Sequence, residues 1–309
     1  MKAIVTGAMG FVGKWLVKEL LQAGYQVVVL ANRKPDQAET SVNADRVRWI
    51  LCPMDAYQSI GKSLSEEGRI DFFFHFAWAG TSGNRRGDER IQLQNIAWAC
   101  DAIRLANELG CTKFIHAGSI MEYDAVNLLN GSEYIANRNH LYSIAKLTAD
   151  LMCKTLAADM ALSYINVIIS NIYGPGDGSG RFVSSMVRKM LAHEDIALTQ
   201  GTQPYDFIYA ADAVKAILLA AQRGEANQSY YIGNTVQRPL RDFVLEMKKT
   251  LNSDSRLHFG AVTMKAQPLT YREFDTGRLE KDFGFKPEVS FPQGLNLLKQ
   301  WILENEYAQ

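Results

Sequence analysis

Tyr142 and Lys146 stand four residues apart in the run Tyr142-Ser143-Ile144-Ala145-Lys146, so on a helix they share one face and can reach one cleft. A phenol with its ordinary pKa of about 10 is a poor base at neutral pH, and a neighbouring ammonium favours the phenolate. The pair can therefore exchange a proton with a substrate oxygen. Spacing of this kind also suits two unrelated residues of an amphipathic helix, so it needs company. Ser119 supplies it by ending the β-rich run Lys113 to Gly118, because open parallel sheets present ligand-contacting groups at the carboxyl ends of their strands. Its hydroxyl is placed to hydrogen-bond a substrate oxygen.

A second constellation is Thr6-Gly7-Ala8-Met9-Gly10-Phe11-Val12-Gly13, which follows a strand and opens a helix, the context of a dinucleotide-binding turn. Gly7 permits the tight turn, Gly10 lets a pyrophosphate approach the backbone, Gly13 lets helix pack on strand, and the helix N-terminus favours phosphate charge. Met9, Phe11 and Val12 complete the expected cofactor contacts. At the end of the second strand an Asp or Glu would hydrogen-bond the ribose 2′-hydroxyl of NAD. Leu30-Ala31-Asn32-Arg33-Lys34 has none, and Asn32 with Arg33 suits a 2′-phosphate. NADP(H) is the expected cofactor, with NAD(H) left open, since Arg33 and Lys34 also read as loop cations.

These residues need a frame that brings strand ends and helix starts together. Short β-rich runs alternate with longer amphipathic segments, the pattern of a parallel sheet covered by helices on both faces. Strands are expected at Lys2 to Thr6, Gln26 to Ala31, Val47 to Leu51, Asp71 to Phe76, Thr112 to Ala117 and Ser163 to Ile169, with long helices at Arg90 to Leu109 and Leu141 to Met160. The fold class is thus an α/β Rossmann, doubly wound sheet with a smaller, discontinuous substrate-binding lobe. The dinucleotide domain is expected at 1–170 plus about 206–236, and the lobe at about 171–205 and 237–309. Gly80 to Gly87 and Val126 to Arg138 read as structureless candidate active-site loops.

With 33 basic and 33 acidic residues, no net field points to nucleic acid or an anionic membrane. No apolar run approaches a membrane span or a leader segment. Cys52, Cys100, Cys111 and Cys153 form no metal or CxxC spacing, so they are expected as free thiols in a reducing cytoplasm. The five histidines are scattered singly and give no metal pattern; His140 reads as a helix-start residue or as one bordering the substrate.

The ordered set of motifs resembles the extended short-chain dehydrogenase/reductases that act on nucleotide sugars, the NAD(P)-dependent epimerase/dehydratase family. The resemblance runs from the glycine turn through His75-Phe76-Ala77, Asn95, Ser119, Tyr142 and Lys146 to Asn171-Ile172-Tyr173-Gly174-Pro175-Gly176. It continues through Asp206-Phe207-Ile208-Tyr209 with Asp212 to Phe283-Gly284-Phe285-Lys286-Pro287. It implies that Tyr142 is the acid/base, that Lys146 holds the nicotinamide ribose, and that Ser119 polarises the reacting carbonyl. Phe76, Ala77, Trp78 and Asn95 would line the cofactor. Thr81, Met121 and Asn171 would meet the substrate, the Phe182 to Leu191 helix and the loop ending at Tyr205 would wrap the nucleotide diphosphate, and the two long helices would pair in a homodimer.

Departures from the family pattern narrow the chemistry. Dehydratase members carry an Asp-Glu pair after the hydroxyl residue, whereas Ser119 is followed by Ile120 and Met121, which cannot transfer a proton. Glu122 is one position too far, and if the segment stays extended it points away. The family's arginine before the Asp-Phe-Ile segment is Tyr205 here, and Arg181, Arg188 or Arg272 are the candidates to compensate. Asp55 reads as a cap of the next helix. The expected reaction is NADPH-dependent reduction of a nucleotide-linked 4-keto-6-deoxy sugar. The alternatives are a 4-epimerase with tightly bound NAD, then a 4,6-dehydratase or a non-catalytic dinucleotide-binding sensor.

Overall fold

A computed structural model describes residues 1–35, 45–130, 137–263 and 268–306. The backbone forms two compact units, Met1–Ile169 with Val214–Tyr230 and Ser170–Ala213 with Tyr231–Gln309. In the first, the chain runs β1 (Lys2–Thr6), α1 (Phe11–Gln22), β2 (Gln26–Ala31), β3 (Val47–Leu51), α2 (Tyr57–Leu64), β4 (Phe72–His75), α3 (Glu89–Glu108), β5 (Lys113–Ser119), α4 (Met121–Asn130), α5 (His140–Asp159) and β6 (Ser163–Ile169). Then come β7 (Asn171–Tyr173), α6 (Phe182–Leu191), β8 (Ile196–Leu198), β9 (Pro204–Tyr205), β10 (Phe207–Tyr209), α7 (Ala210–Arg223) and β11 (Gln228–Ile232). The last stretch is β12 (Arg238–Pro239), α8 (Leu240–Leu251), β13 (Leu257–Phe259), α9 (Arg278–Phe283) and α10 (Phe291–Glu306).

The main sheet has the order β11-β6-β5-β4-β1-β2-β3, and β1 to β6 pair in parallel. This is the doubly wound arrangement, in which the strand order reverses beside β1. Both faces are covered, so the central strands are apolar almost throughout rather than alternating: Ala3, Ile4, Val5, Phe73 and Phe74 are fully buried. Small residues on the long helices let them lie close to the sheet. Ala99, Ala102 and Ala106 of α3 and Ala149 and Ala157 of α5 join Ile4, Phe73, Phe114 and Tyr164 in one buried cluster.

One register of the sheet is polar. Thr6, His75, His116 and Asn166 are successive partners across β1, β4, β5 and β6, and all four are buried. Thr6 Oγ1 meets His75 Nδ1 at 3.0 Å, and the two histidine rings stack with centroids 6.0 Å apart. Burial, reinforced by the charge of Lys146, pushes His75 down to about 3 and His116 well below the ordinary histidine value.

Among its described residues the second unit holds three two-stranded sheets, β10-β7, β12-β9 and β13-β8. Its core is aromatic: Phe207 meets Phe243 at 4.9 Å and Phe291 at 5.6 Å, centroid to centroid. The return of the chain to the first unit is shorter than the 206–236 expected from the sequence, because Phe207–Tyr209 pairs with Asn171–Tyr173 instead. The expected structureless region from Val126 is helical as far as Asn130, and its residues 131–136 lie outside those described. Among the described residues no helix is long and apolar enough to cross a membrane.

Candidate active site

The glycine turn is built against the end of β4. Gly7 has φ +71°, and a Cβ there would stand 2.5 Å from the carbonyl carbon and oxygen of Phe76; one on Gly13 would stand 2.1 Å from Gly7 O. No side chain larger than hydrogen fits at either position without backbone movement. Gly10 precedes α1 with extended backbone, its N–H donates to Gly7 O at 3.0 Å, and it is exposed while Met9, Phe11 and Val12 are half-buried. An approachable backbone at a helix N-terminus is the donor set that a dinucleotide pyrophosphate requires. Thr6, the residue before the turn, was not among the expected contacts but fixes it. Its Oγ1 accepts from Phe76 N at 3.1 Å and Ala77 N at 3.2 Å, tying the carboxyl ends of β1 and β4 together.

Asn32 and Arg33 are exposed just after β2, with Arg33 Nη1 donating to Lys34 O at 3.0 Å. Asp55 does not cap a helix through its side chain: the residue preceding its 3₁₀ turn is Pro53, and Ala56 precedes α2.

The loop after β4 is held from beneath by two buried amides of α3. Asn95 accepts from Ala79 N at 2.9 Å and donates to Ala79 O at 2.8 Å, so it positions the loop rather than facing an opening. Gln92 Nε2 reaches the carbonyls of Gly80, Arg85 and Arg86 at 3.1–3.3 Å, and its Oε1 accepts from Trp78 Nε1 at 3.0 Å. Sequence reasoning passed over Gln92; the signal was its place three residues before Asn95, hence on the same helix face. Gly83–Gly87 forms a 3₁₀ turn, not the structureless loop expected, and Thr81 before it is exposed.

Tyr142 and Lys146 face the same loop. The Tyr142 ring lies 6.2 Å from Trp78 in an edge arrangement, and Lys146 Nζ lies 3.7 Å from the centre of the Trp78 ring. Both residues are buried, on the first half of α5 whose start is His140. Lys146 Nζ donates to Ala117 O at 2.8 Å, which brings it two residues from the half-buried Ser119. Ser119 Oγ accepts from Met121 N at 3.2 Å. The arrangement places a phenol and an ammonium against one loop, with the ammonium also held by the strand that ends in the Ser119 hydroxyl; phenol, ammonium and hydroxyl are the groups needed to deliver a proton to a developing alkoxide and hold that oxygen.

Glu122 departs from expectation. The chain does not stay extended after Ser119 but enters α4 at Met121, and this turns Glu122 inward to 2% exposure. Its Oε1 accepts from Ser119 N at 2.8 Å and its Oε2 from Asn166 Nδ2 at 3.1 Å. Gly118 was the available signal, since a Cβ there would stand 2.8 Å from Glu122 Oε1. Burial and the Asp150 charge push the Glu122 carboxyl up, opposed by Ser119 N and the Lys146 charge. Burial likewise pushes Lys146 down, opposed by Glu122. Ile120 is buried and Met121 half-buried, so neither position after Ser119 offers a proton.

In the second unit, Asn171 Nδ2 donates to Asp206 O at 3.0 Å and to Tyr271 Oη at 3.3 Å. Arg181, immediately before α6, and Arg272 are exposed. Arg188 is engaged rather than open: Nε and Nη2 meet the Glu306 carboxylate at 2.8 and 2.7 Å, and Nη2 also reaches Asp177 O at 3.3 Å. Of the three candidates to compensate for the missing arginine, Arg188 is the one held by a carboxylate. Tyr205 is half-buried in β9, 5.3 Å from the Phe207 ring, and burial pushes its phenol up. All four cysteines are free and buried. Among the described residues no group of His, Cys, Asp and Glu could hold a metal.

Residues 3–233 match the family model described as the NAD dependent epimerase/dehydratase family. CDP-abequose synthase of Salmonella typhimurium is 25% identical over 307 residues, covering 96% of this chain and 97% of that protein. A dTDP-4-dehydro-6-deoxy-D-allose reductase from a Streptomyces species is 25% identical over 243 residues, 72% of this chain and 73% of its own. A UDP-glucose 4-epimerase from Thermotoga maritima shares the fold with a TM-score of 0.80 at 21% identity, over 98% of this chain and 99% of that one. The family match runs through the glycine turn, Ser119, Tyr142 and Lys146, and on that footing the chain belongs to the NAD dependent epimerase/dehydratase family.

Proposed function

We propose that this protein reduces the 4-keto group of a nucleotide-linked 6-deoxy sugar with NADPH. The observation that carries the reading is the surround of Ser119: Ile120 and Met121 have no proton to transfer, and Glu122 is turned under the sheet onto Ser119 N and Asn166. Eliminating water from a sugar needs an acid and a base beside the keto carbon; reducing it needs one proton donor, and Tyr142 is that donor. The two relatives above, a synthase of CDP-abequose and a 4-dehydro-6-deoxy sugar reductase by their names, support the substrate class.

A bound nicotinamide supplies the hydride. Tyr142 delivers its proton to the carbonyl oxygen, Ser119 holds that oxygen by hydrogen bond, and Lys146 keeps positive charge beside the phenol as it becomes phenolate. The turn that Gly7 and Gly13 allow would present the backbone at Gly10 and the start of α1 to the pyrophosphate, and Asn32 with Arg33 would take the 2′-phosphate. Asn171, Arg181, Tyr205 and Arg272 of the second unit are assigned to the nucleotide sugar. Four buried free thiols accord with work in the cytoplasm.

Mixing the protein with a panel of 4-keto and parent nucleotide sugars, with NADPH or NADH, and following cofactor absorbance tests the reading. The expected result is stoichiometric oxidation of NADPH with a 4-keto sugar, faster than with NADH. Preference for NADH would sink the NADP assignment alone. Interconversion of parent sugars without added cofactor, by protein carrying NAD, would replace the reductase by a 4-epimerase.

The chain is also assigned as a homodimer through α3 and α5, whose outer faces leave Leu93 65%, Leu151 54%, Ile144 45% and Met152 45% exposed. Exposed apolar side chains on two neighbouring helices offer a second copy surface to bury. Sedimentation should give about twice the 34.6 kDa chain mass, and a single-chain mass at micromolar concentration would remove the assignment.

A further inference from the structure

The loop after β4 carries a second cation to the active-site phenol. Arg86 lays its guanidinium carbon 4.0 Å from the centre of the Tyr142 ring, and its Nη1 donates to Thr81 O at 3.1 Å. The backbone behind it is braced. Gln92 grips the carbonyls of Gly80, Arg85 and Arg86, and Arg138 Nε donates to Gly87 O at 3.2 Å. A Cβ on Gly80 would stand 2.5 Å from Arg85 O, and one on Gly87 2.9 Å from Arg138 Cβ, so the loop is packed too closely to accept a side chain at either point.

Trp78 and Arg86 are among the groups that meet the Tyr142 ring. Both belong to the loop, and Lys146 follows one turn along α5, resting on the same Trp78 ring. On α4, Asp124 meets the residues flanking the tyrosine, accepting from Ser143 Oγ at 3.0 Å and lying 3.7 Å from His140 Nε2. A cation over an aromatic face is attracted by the ring, more strongly as the site is desolvated, and the attraction strengthens when the ring itself becomes negative.

We propose that Arg86 is a positioning residue for the reduction assigned above: it clamps the Tyr142 ring against Trp78 and steadies the phenolate left when the phenol proton has moved to the substrate oxygen. The proton comes from Tyr142 Oη, the hydride from the nicotinamide, and solvent reprotonates the tyrosine after product leaves. Arg86 gives up and gains nothing.

The test compares the parent with Arg86→Met and Arg86→Lys. Loss of the cation makes the phenolate harder to form, so in R86M the alkaline limb of the kcat profile moves to higher pH by about half a unit to one unit. In the same variant kcat falls about three- to tenfold with KM little changed. R86K keeps the charge without the planar stack and leaves the limb within about 0.3 of a unit of the parent. Difference spectra at the tyrosinate band, each protein against its Tyr142→Phe counterpart, read the same shift without substrate. If no 4-keto sugar is turned over, the reduction assignment fails while these spectra still decide the role of Arg86. An R86M limb and spectrum unmoved from the parent, with only KM or thermal stability altered, would overturn the proposal.

Discussion

Tyr142→Phe is expected to lower turnover of a 4-keto nucleotide sugar by about 10² to 10⁴ while leaving dinucleotide binding within a few-fold. The substitution removes one oxygen from a ring whose place is set by Trp78 and Arg86, so packing persists and the proton donor alone is lost. The glycine turn, Thr6 and the loop after β4 are held by their own contacts, none of which involves the phenol, and so the cofactor site should survive. Paired kinetic and fluorescence-binding measurements check both halves. A dinucleotide sensor would keep its full function after this change; an enzyme retaining parent turnover would need another proton donor, and neither residue after Ser119 can serve.

The second large effect concerns the polar register of the sheet. A histidine held neutral by burial binds a proton in the unfolded chain but not in the folded one, so its contribution to stability is present above the ordinary value of 6.5 and is lost as the pH falls through the window down to its depressed folded value. Each such histidine costs about 1.4 kcal/mol of stability per pH unit in that window. His75 and His116 act in the same sense, whereas Glu122, whose carboxyl is pushed up, acts oppositely as pH falls.

His116→Phe isolates one contributor. The ring sits stacked between His75 and Tyr164 at 6.0 and 6.3 Å, and neither of its nitrogens has a hydrogen-bond partner among the described residues. A phenyl ring therefore fits the stack and forfeits no bond. Urea unfolding should show the variant at least as stable as the parent at pH 7.5, with the difference growing by about 1.4 kcal/mol per unit below pH 6.5. Parallel stability curves across that range would show that His116 is not held neutral.

The glycine turn, the strand ends and the Tyr142–Lys146 pair were legible because each depends on local spacing. A turn and a helix face are specified within a few residues. Ser119 was legible for a related reason, since the end of a parallel strand is a fixed place in a doubly wound sheet. What escaped was set by chain reversal or by partners distant in sequence. An extended segment would turn Glu122 away from Met121's direction, but a helix beginning at Met121 buries it against Asn166, 44 positions away. Arg188, one of three candidate cations for a diphosphate, meets Glu306 118 positions on, a partner that no local window shows. Gln92 lay unremarked because an amide's role on a helix depends on which loop folds over it. The sequence window that shows Arg86 shows only a loop cation, and the tyrosine beneath it belongs to another element.

Transfer of label most directly tests the central claim of net reduction. The protein would be given a 4-keto-6-deoxy nucleotide sugar and NADPH deuterated on the transferable face of the nicotinamide, and the sugar product weighed. Net reduction predicts one deuterium at the former keto carbon for each NADPH consumed. Recovery of the 4-keto sugar unlabelled, with no NADPH consumed, would contradict it, and inversion at C4 of the parent 4-hydroxy sugar by protein carrying NAD would then establish a 4-epimerase.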